Sequence, residues 1–335
     1  MTVRVGINGF GRIGRNIFRA AKQSGADIDF VAVNDLGDRD TMAHLLQHDS
    51  VHGRLPWTVK RSRSGIRVGD DEIKVLAERN PADLPWGELG VDIVLESTGF
   101  FTKREAAAAH LTAGAKKVII SAPSGDADTT FVVGVNDGDY RKTKHHVVSN
   151  ASCTTNCFVP MGKVLDDAFG LKQGFMTTSH AYTGDQALVD GPHKDLRRAR
   201  AAAVNIVPTS TGAARATGLV LESMKGKLDG FAVRVPVPDG SMTDFTAVVS
   251  KATTAEDVNA AFKKAARSGK LAKVLDYSEA PLVSTDIVGS PASCTFDSGL
   301  TMVSGNLVKI TGWYDNEWGY SNRMVDLTML IGSKL

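Results

Sequence analysis

The 335-residue sequence holds only three cysteines, Cys153, Cys157 and Cys294, too few for a disulfide framework. Reduced thiols fit a cytoplasmic protein. Long apolar runs are lacking. Stretches such as Val118 to Ile120 and Phe131 to Val133 fall far short of the roughly 20 residues that a membrane helix needs. Thr2-Val3-Arg4 leads straight into a strand-like alternation, without the apolar segment of a signal peptide, so the cytoplasm is the expected location. Charge of one sign is lacking too. With 39 basic and 37 acidic residues the net charge is +2, which leaves no field favouring nucleic acid or an anionic membrane. Repeats, low-complexity segments and a Pro- or Ser-rich linker are absent. A hydrophobic content of 42% beside 23% charged residues describes an ordinary soluble globular chain, long enough for about two domains.

The first half alternates strand-like and helix-like segments. Thr2 to Asn8 reads as a strand, Arg12 to Ser24 as a helix closed by Gly25, and Ile28 to Asn34 as a buried strand. Further strands are expected at Asp92 to Glu96 and Lys117 to Ser121, with an Ala-rich helix from Lys103 to Ala113 between them and hairpins within Trp57 to Leu76. This alternation implies βαβ units in a mainly parallel, Rossmann-type sheet over residues 1–150. From about residue 151 to 316 longer strand-like runs dominate, at Gly174 to Tyr182, Gly230 to Val237, Thr243 to Lys251 and Leu307 to Tyr314. Helices are expected at Thr154 to Phe169, Gly212 to Met224 and Ala255 to Ser268. That pattern describes an α+β domain with a mainly antiparallel sheet. A last helix over 317–335 carries Tyr320, Met324, Leu327 and Ile331 on one face and is expected to pack back on the first domain.

Gly9-Phe10-Gly11-Arg12-Ile13-Gly14 is a G-x-G-x-x-G that follows a strand and opens a helix. Gly9 permits the tight turn, Gly11 lets a pyrophosphate approach the backbone, and Gly14 lets helix and strand pack closely. The helix N-terminus then offers free N–H groups to the anion. Asp35 lies 21 residues beyond Gly14 at the end of the second strand, where an acid can hold a ribose 2′-hydroxyl. A 2′-phosphate would instead meet repulsion of about 4 kcal/mol per charge pair at 4 Å and an effective dielectric near 20. Asn34-Asp35-Leu36 has no arginine to reverse that sign, so NAD is expected over NADP.

Ser149-Asn150-Ala151-Ser152-Cys153-Thr154-Thr155-Asn156-Cys157 contains N-cap residues that place Cys153 in the first turn of a helix, where N–H groups and the helix dipole are expected to lower its pKa. A thiolate attacks carbonyl carbon, and His180 on the following strand could serve as its base. The commoner state of a single thiol is nevertheless buried and inert.

These two segments, with Gly9 to Gly14 and Trp313-Tyr314-Asp315-Asn316-Glu317-Trp318-Gly319-Tyr320-Ser321, resemble the glyceraldehyde-3-phosphate dehydrogenases of the phosphorylating, glycolytic type. The resemblance runs in order from Val5 to Leu327. It implies Cys153 as the nucleophile that forms a hemithioacetal and then a thioester, and His180 as its base. It implies Thr183 and Arg234 around the phosphate of glyceraldehyde 3-phosphate, and Ser152, Thr154, Arg198, Thr211 and Gly212 around the inorganic phosphate that releases the acyl group. Asn316 matches the residue orienting the nicotinamide carboxamide, and Arg12, Ile13, Asn34, Arg79 and Ser121 complete the NAD contacts. A homotetramer is implied as well.

Other readings compete. A sugar-phosphate aldehyde dehydrogenase that ends in hydrolysis, such as an erythrose-4-phosphate dehydrogenase, uses the same parts. An NAD- or RNA-binding regulator on this scaffold needs no nucleophile, and a cysteine hydrolase gives no reason for Gly9 to Gly14. His44, His48 and His52 repeat every four residues, but no cysteine or paired acid completes a tetrahedral set, so no metal is expected. Arg197-Arg198-Ala199-Arg200 reads as one anion ligand, Arg198, flanked by interface ion pairs rather than as a nucleic-acid patch. Cys157 and Cys294 read as packed core side chains.

Overall fold

A computed structural model describes residues 2–335. The chain divides into two compact units, one made of Met1–Phe131, Asp137–Ala151 and Ser321–Leu335, the other of Val132–Asn136 and Ser152–Tyr320.

The first unit is built on a nine-stranded sheet. Seven strands run parallel in the spatial order Thr129–Thr130, Val147–Ser149, Lys117–Ile120, Ile93–Glu96, Val3–Asn8, Ile28–Asn34 and Asp71–Leu76. The hairpin strands Gly65–Val68 and Val59–Arg61 extend that edge antiparallel. The central strands carry near-continuous apolar runs because both faces are covered, and Ile7, Val33, Val94 and Ile119 are fully buried. Val3–Asn8 lies where the strand order reverses, and a ligand binds in the crevice beyond the carboxyl ends of such strands.

The helix Arg12–Ser24 follows at once and is closed by Gly25 in the left-handed conformation. The Ala-rich segment forms two short pieces, Arg104–Ala107 and Ala109–Thr112, rather than one helix. The Leu111 N–H reaches back three residues to the Ala108 carbonyl, a tightened turn that interrupts the α pattern. The final helix, Trp318–Gly332, brings Gly332 against Val3, where a Cβ would stand 2.2 Å from a valine methyl.

The second unit carries a seven-stranded sheet in the order Val207–Ser210, Leu228–Val235, Leu171–Ala181, Ser241–Val249, Leu307–Tyr314, Cys294–Ser304 and Leu275–Ser278. It is mainly antiparallel, with parallel pairs between Leu171–Ala181 and Leu228–Val235 and between Leu275–Ser278 and Cys294–Ser304. In Ser241–Val249 every second residue is buried, the period-two pattern of a strand with one covered face. The helix Cys153–Phe169 packs on this sheet, with Phe158 edge-on to Phe245 at 4.7 Å between ring centroids. Gly312 leaves room for the sulfurs of Met161, Cys157 and Cys294, and both of these cysteines are fully buried. The helix expected over Gly212 to Met224 is α-helical at Ala213–Val220 and ends in a 3₁₀ turn at Glu222–Met224.

Candidate active site and cofactor pocket

In the first unit the glycine turn behaves as its spacing requires. Gly9 has φ +91°, and a Cβ there would lie 2.6 Å from the Thr98 backbone nitrogen. A Cβ on Gly14 would stand 2.2 Å from the Gly9 carbonyl oxygen. Gly11, the N-cap of Arg12–Ser24, faces open space, a cradle that any side chain would fill. A cavity of about 460 Å³ opens here, lined by Gly9, Gly11, Asn34, Asp35, Arg79 and Thr98, among others. A pyrophosphate on the Gly11 cradle and a ribose on Asp35 fit these residues.

Asp35 also builds the turn. Its Oδ2 accepts the Phe10 N–H at 2.8 Å and its Oδ1 accepts the Gly37 N–H at 2.9 Å. Asn34 lines the same cavity, with its amide tied to Asn8 and to the Glu78 backbone. Arg12 turns its guanidinium to Asp49, at 3.0 and 3.2 Å, and holds that carboxyl down at about 2 against its burial, with help from the His52 and Val51 N–H groups. Ile13 is half-buried on the helix, and Ser121 directly follows the strand Lys117–Ile120 with its N–H on the Glu96 carbonyl.

In the second unit Ser152 is the N-cap, accepting the Thr155 N–H at 3.0 Å, and Cys153 is the first helical residue. His180 sits near the end of Leu171–Ala181, in direct register with Arg234 on the parallel neighbour. Cys153 Sγ lies 3.4 Å from His180 Nε2. His180 Nδ1 lies 2.7 Å from the Ala181 carbonyl oxygen, which can only accept, so the proton sits on Nδ1 and the Nε2 lone pair faces the thiol. Arg234 Nη1 donates to the same carbonyl at 3.0 Å and to Thr183 Oγ1 at 3.3 Å.

Burial, then the Arg234 charge, drives His180 down to about 3, so the imidazole is neutral and able to take a proton. Burial pushes the Cys153 thiol up, against the pull of Arg234 and of the Thr154 donors. The lowered thiol pKa expected from the helix start is therefore not found. Withdrawal of the sulfur from water outweighs the donors around it, and proton removal falls to Nε2 at the moment of attack.

Further side chains converge. Asn316 is buried, and its Oδ1 accepts from Ser241 Oγ at 2.6 Å, which leaves the amide N–H₂ as the donor end. Ser241 Oγ in turn accepts the Ala181 N–H at 3.0 Å, so Asn316 and His180 are tied to one strand end.

The expected phosphate ligands are placed unequally. Arg198 is ion-paired with Asp185, with Nε 2.9 Å from Thr209 Oγ1. Thr211 and Gly212 stand at the start of Ala213–Val220, with Gly212 exposed and open above its Cα. The Ser152 hydroxyl is occupied as a cap. The Thr154 hydroxyl turns inward, 2.8 Å from the Tyr314 hydroxyl. Arg200, expected in an interface ion pair, bonds Asp190 of its own chain at 2.9 Å.

Two residues carry no distinguishing signal in the sequence. The fully buried Tyr314 hydroxyl bridges Thr154 and Thr178, both at 2.8 Å, and its ring meets His180 edge-on at 5.9 Å. Ala151, two residues before the cysteine, has φ +56°, a left-handed conformation that costs about 1–2 kcal/mol without glycine. Both lie within the segments that carry the resemblance, but neither a tyrosine nor an alanine there announces its role by residue type.

The family model for the NAD-binding domain of glyceraldehyde 3-phosphate dehydrogenase matches residues 3–104, and that for its C-terminal domain matches 152–316. The glyceraldehyde-3-phosphate dehydrogenase of Streptomyces coelicolor is 64% identical over the whole of both chains. Glyceraldehyde-3-phosphate dehydrogenase 2 of Streptomyces arenae is 63% identical and the glyceraldehyde-3-phosphate dehydrogenase of Mycobacterium avium 61%, again over full length. With the dinucleotide turn, the facing cysteine and histidine, and these matches along its whole length, the chain belongs to the glyceraldehyde-3-phosphate dehydrogenase family of NAD-dependent oxidoreductases.

Proposed function

We propose that this chain oxidises glyceraldehyde 3-phosphate to an acyl phosphate, the phosphorylating step of glycolysis, through a thioester on Cys153. The observation that carries the reading is the 3.4 Å approach of Cys153 Sγ to a neutral His180 Nε2 whose other nitrogen is anchored on a carbonyl. Nε2 takes the thiol proton as sulfur adds to the aldehyde carbon and returns it to the new alkoxide, giving a hemithioacetal and a neutral imidazole. His180 then takes the hydroxyl proton as the carbon gives up its hydride, leaving the thioester. NAD, when bound, supplies the hydride acceptor. Residues suited to hold it are Gly9, Gly11, Arg12, Ile13, Gly14, Asn34, Asp35, Arg79 and Ser121, with Asn316 donating to the carboxamide. Inorganic phosphate attacks the acyl carbon, the C–S bond breaks, and the thiol regains its proton.

Arg234 and Thr183 share one hydrogen bond and suit the phosphate of the aldehyde. Arg198, Thr211, Gly212, Ser152 and Thr154 are assigned to the attacking phosphate. Asp185 on Arg198 means that the incoming anion must share or displace that partner. Exposed apolar side chains between residues 188 and 206, at Leu188, Val189, Leu196, Val204 and Ile206, support a homotetramer that covers them. Among the described residues no helix is long and apolar enough to cross a membrane. A cytoplasmic location is part of this proposal.

The test is NADH formation from glyceraldehyde 3-phosphate with and without phosphate. A burst near one NADH per site followed by a stall in phosphate-free buffer is expected, with no burst in Cys153→Ser. Sustained turnover without phosphate, yielding the free acid, would favour the hydrolytic reading.

A further inference from the structure

Three adjacent parallel strands of the first unit end in polar residues at one level, Glu96, Asn8 and Asn34, paired in register. All three are at least 95% buried, as are His110 and Trp86. Such polar burial at the centre of a sheet is costly unless every group is bonded, and here the bonds run as one chain. The Trp86 indole can only donate, and its Nε1 lies 3.0 Å from His110 Nδ1. His110 therefore carries its proton on Nε2, which donates to Glu96 Oε2 at 2.9 Å. The same oxygen accepts from Asn8 Nδ2 at 2.6 Å, and Asn8 Oδ1 accepts from Asn34 Nδ2 at 2.7 Å. Glu96 Oε1 accepts the Thr98 N–H at 2.8 Å and the Thr98 hydroxyl, which itself accepts the Phe100 N–H at 3.1 Å.

Four donors thus converge on one carboxyl group, which must act as an acceptor at every lone pair. Its two oxygens face different parts of one structure. Oε2 holds the Asn8–Asn34 floor, and Oε1 holds the 97–100 wall of the 460 Å³ cavity above the glycine turn. We propose that Glu96 is the positioning residue of the dinucleotide pocket, aimed by His110 and Trp86 so that floor and wall are set by one group. This rests on reading that cavity as the NAD pocket.

Glu96→Gln puts an N–H₂ against the Asn8 and His110 donors, or against Thr98, and no rotation of the amide relieves both sides. Titration of the full-length variant with NAD should show affinity lower by about 10- to 100-fold, the scale of a buried donor left facing a donor. The KM for NAD should rise in parallel, while the aldehyde KM stays within about twofold. The exchange Glu96→Gln with Asn8→Asp returns an acceptor to the centre of the chain, 3.4 Å from His110 Nε2, and should recover most of the NAD affinity. A purely structural role predicts no such rescue.

Should Glu96→Gln fail to fold, Trp86→Phe keeps an aromatic ring and removes only the indole donor. It should weaken NAD about threefold, on the low side of one lost hydrogen bond. NAD affinity unchanged in whichever variant folds, or a double exchange no better than Glu96→Gln alone, would overturn the proposal. Asp35→Ala separates the two readings. If it weakens NAD and Glu96→Gln does not, the positioning role fails alone. If neither changes NAD binding, the cavity is not the NAD pocket and the proposal falls with that reading.

Discussion

Replacing Arg234 with leucine removes a guanidinium that lies 3.0 Å from His180 Nδ1 and pulls the neighbouring thiol toward its ionised form. Two unit charges about 5 Å apart at an effective dielectric near 20 interact by about 3 kcal/mol. Arg234 is half-buried, and solvent screening leaves on the order of 1 kcal/mol, about a fivefold change in the ionised fraction of Cys153 at fixed pH. The sign follows from the charges. Loss of the cation destabilises the thiolate, so the inflection for alkylation of Cys153 moves to higher pH. The same loss relieves His180 of repulsion, and its pKa rises from about 3 toward the ordinary 6.5. Iodoacetamide rates from pH 5 to 10, read residue by residue by mass spectrometry, separate Cys153 from the buried Cys157 and Cys294. Arg234→Lys keeps the charge and should lie close to the parent profile. An inflection that is unchanged or moves to lower pH in Arg234→Leu would refute this account of the site's electrostatics.

Asp35→Gly should weaken NAD by about tenfold and narrow its advantage over NADP, because it removes the proposed ribose partner, the negative charge and the acceptor that holds the Phe10 N–H; steady-state KM values for both cofactors decide it. Arg198→Leu should raise the phosphate KM by at least about tenfold and leave the aldehyde KM nearly unchanged, since its bonds lie with Asp185 and Thr209 rather than with Arg234; equal damage to both KM values would refute the assignment. His180 has a pKa below its unfolded value, so its contribution is fully present above about 6.5 and is lost as pH falls toward about 3; denaturant melts of His180→Gln should show a flatter loss of stability across that window. Tyr314→Phe should cost about 1–3 kcal/mol in a denaturant melt by leaving the Thr154 and Thr178 hydroxyls without their bridge, and a smaller loss would mean that they pair directly.

Local patterns carried a good part of this molecule. The helix Arg12–Ser24 was legible because its apolar periodicity, its Gly11 start and its Gly25 stop all lie within one stretch of chain. The hairpin strands within 57–76 were legible from their Gly turns. The seat of Cys153 in a first helical turn followed from Ser152, a cap acting over three residues. Short strands were missed, among them Val207–Ser210 and Leu275–Ser278, because four residues carry too little periodicity to stand out from loop.

What the sequence determines unaided is therefore whatever a few consecutive residues decide: the glycine turn that no side chain can enter, the helix starts, the alternation of strands. The tertiary structure decided what depends on groups far apart in the chain. His180 and Arg234 become neighbours only through a parallel strand pairing across 54 residues. At Cys153 burial, set by the whole packed unit, outweighs the local helix dipole and raises the thiol pKa, opposite to the direction its helix position implies. Glu96 ends a strand in the sequence pattern, and only the fold brings Asn8 of the neighbouring strand and His110 of a short helix to it beside the local Thr98 donors. Charge and hydrogen bonding act through space, and no local window of sequence records which distant group will arrive within 3 Å.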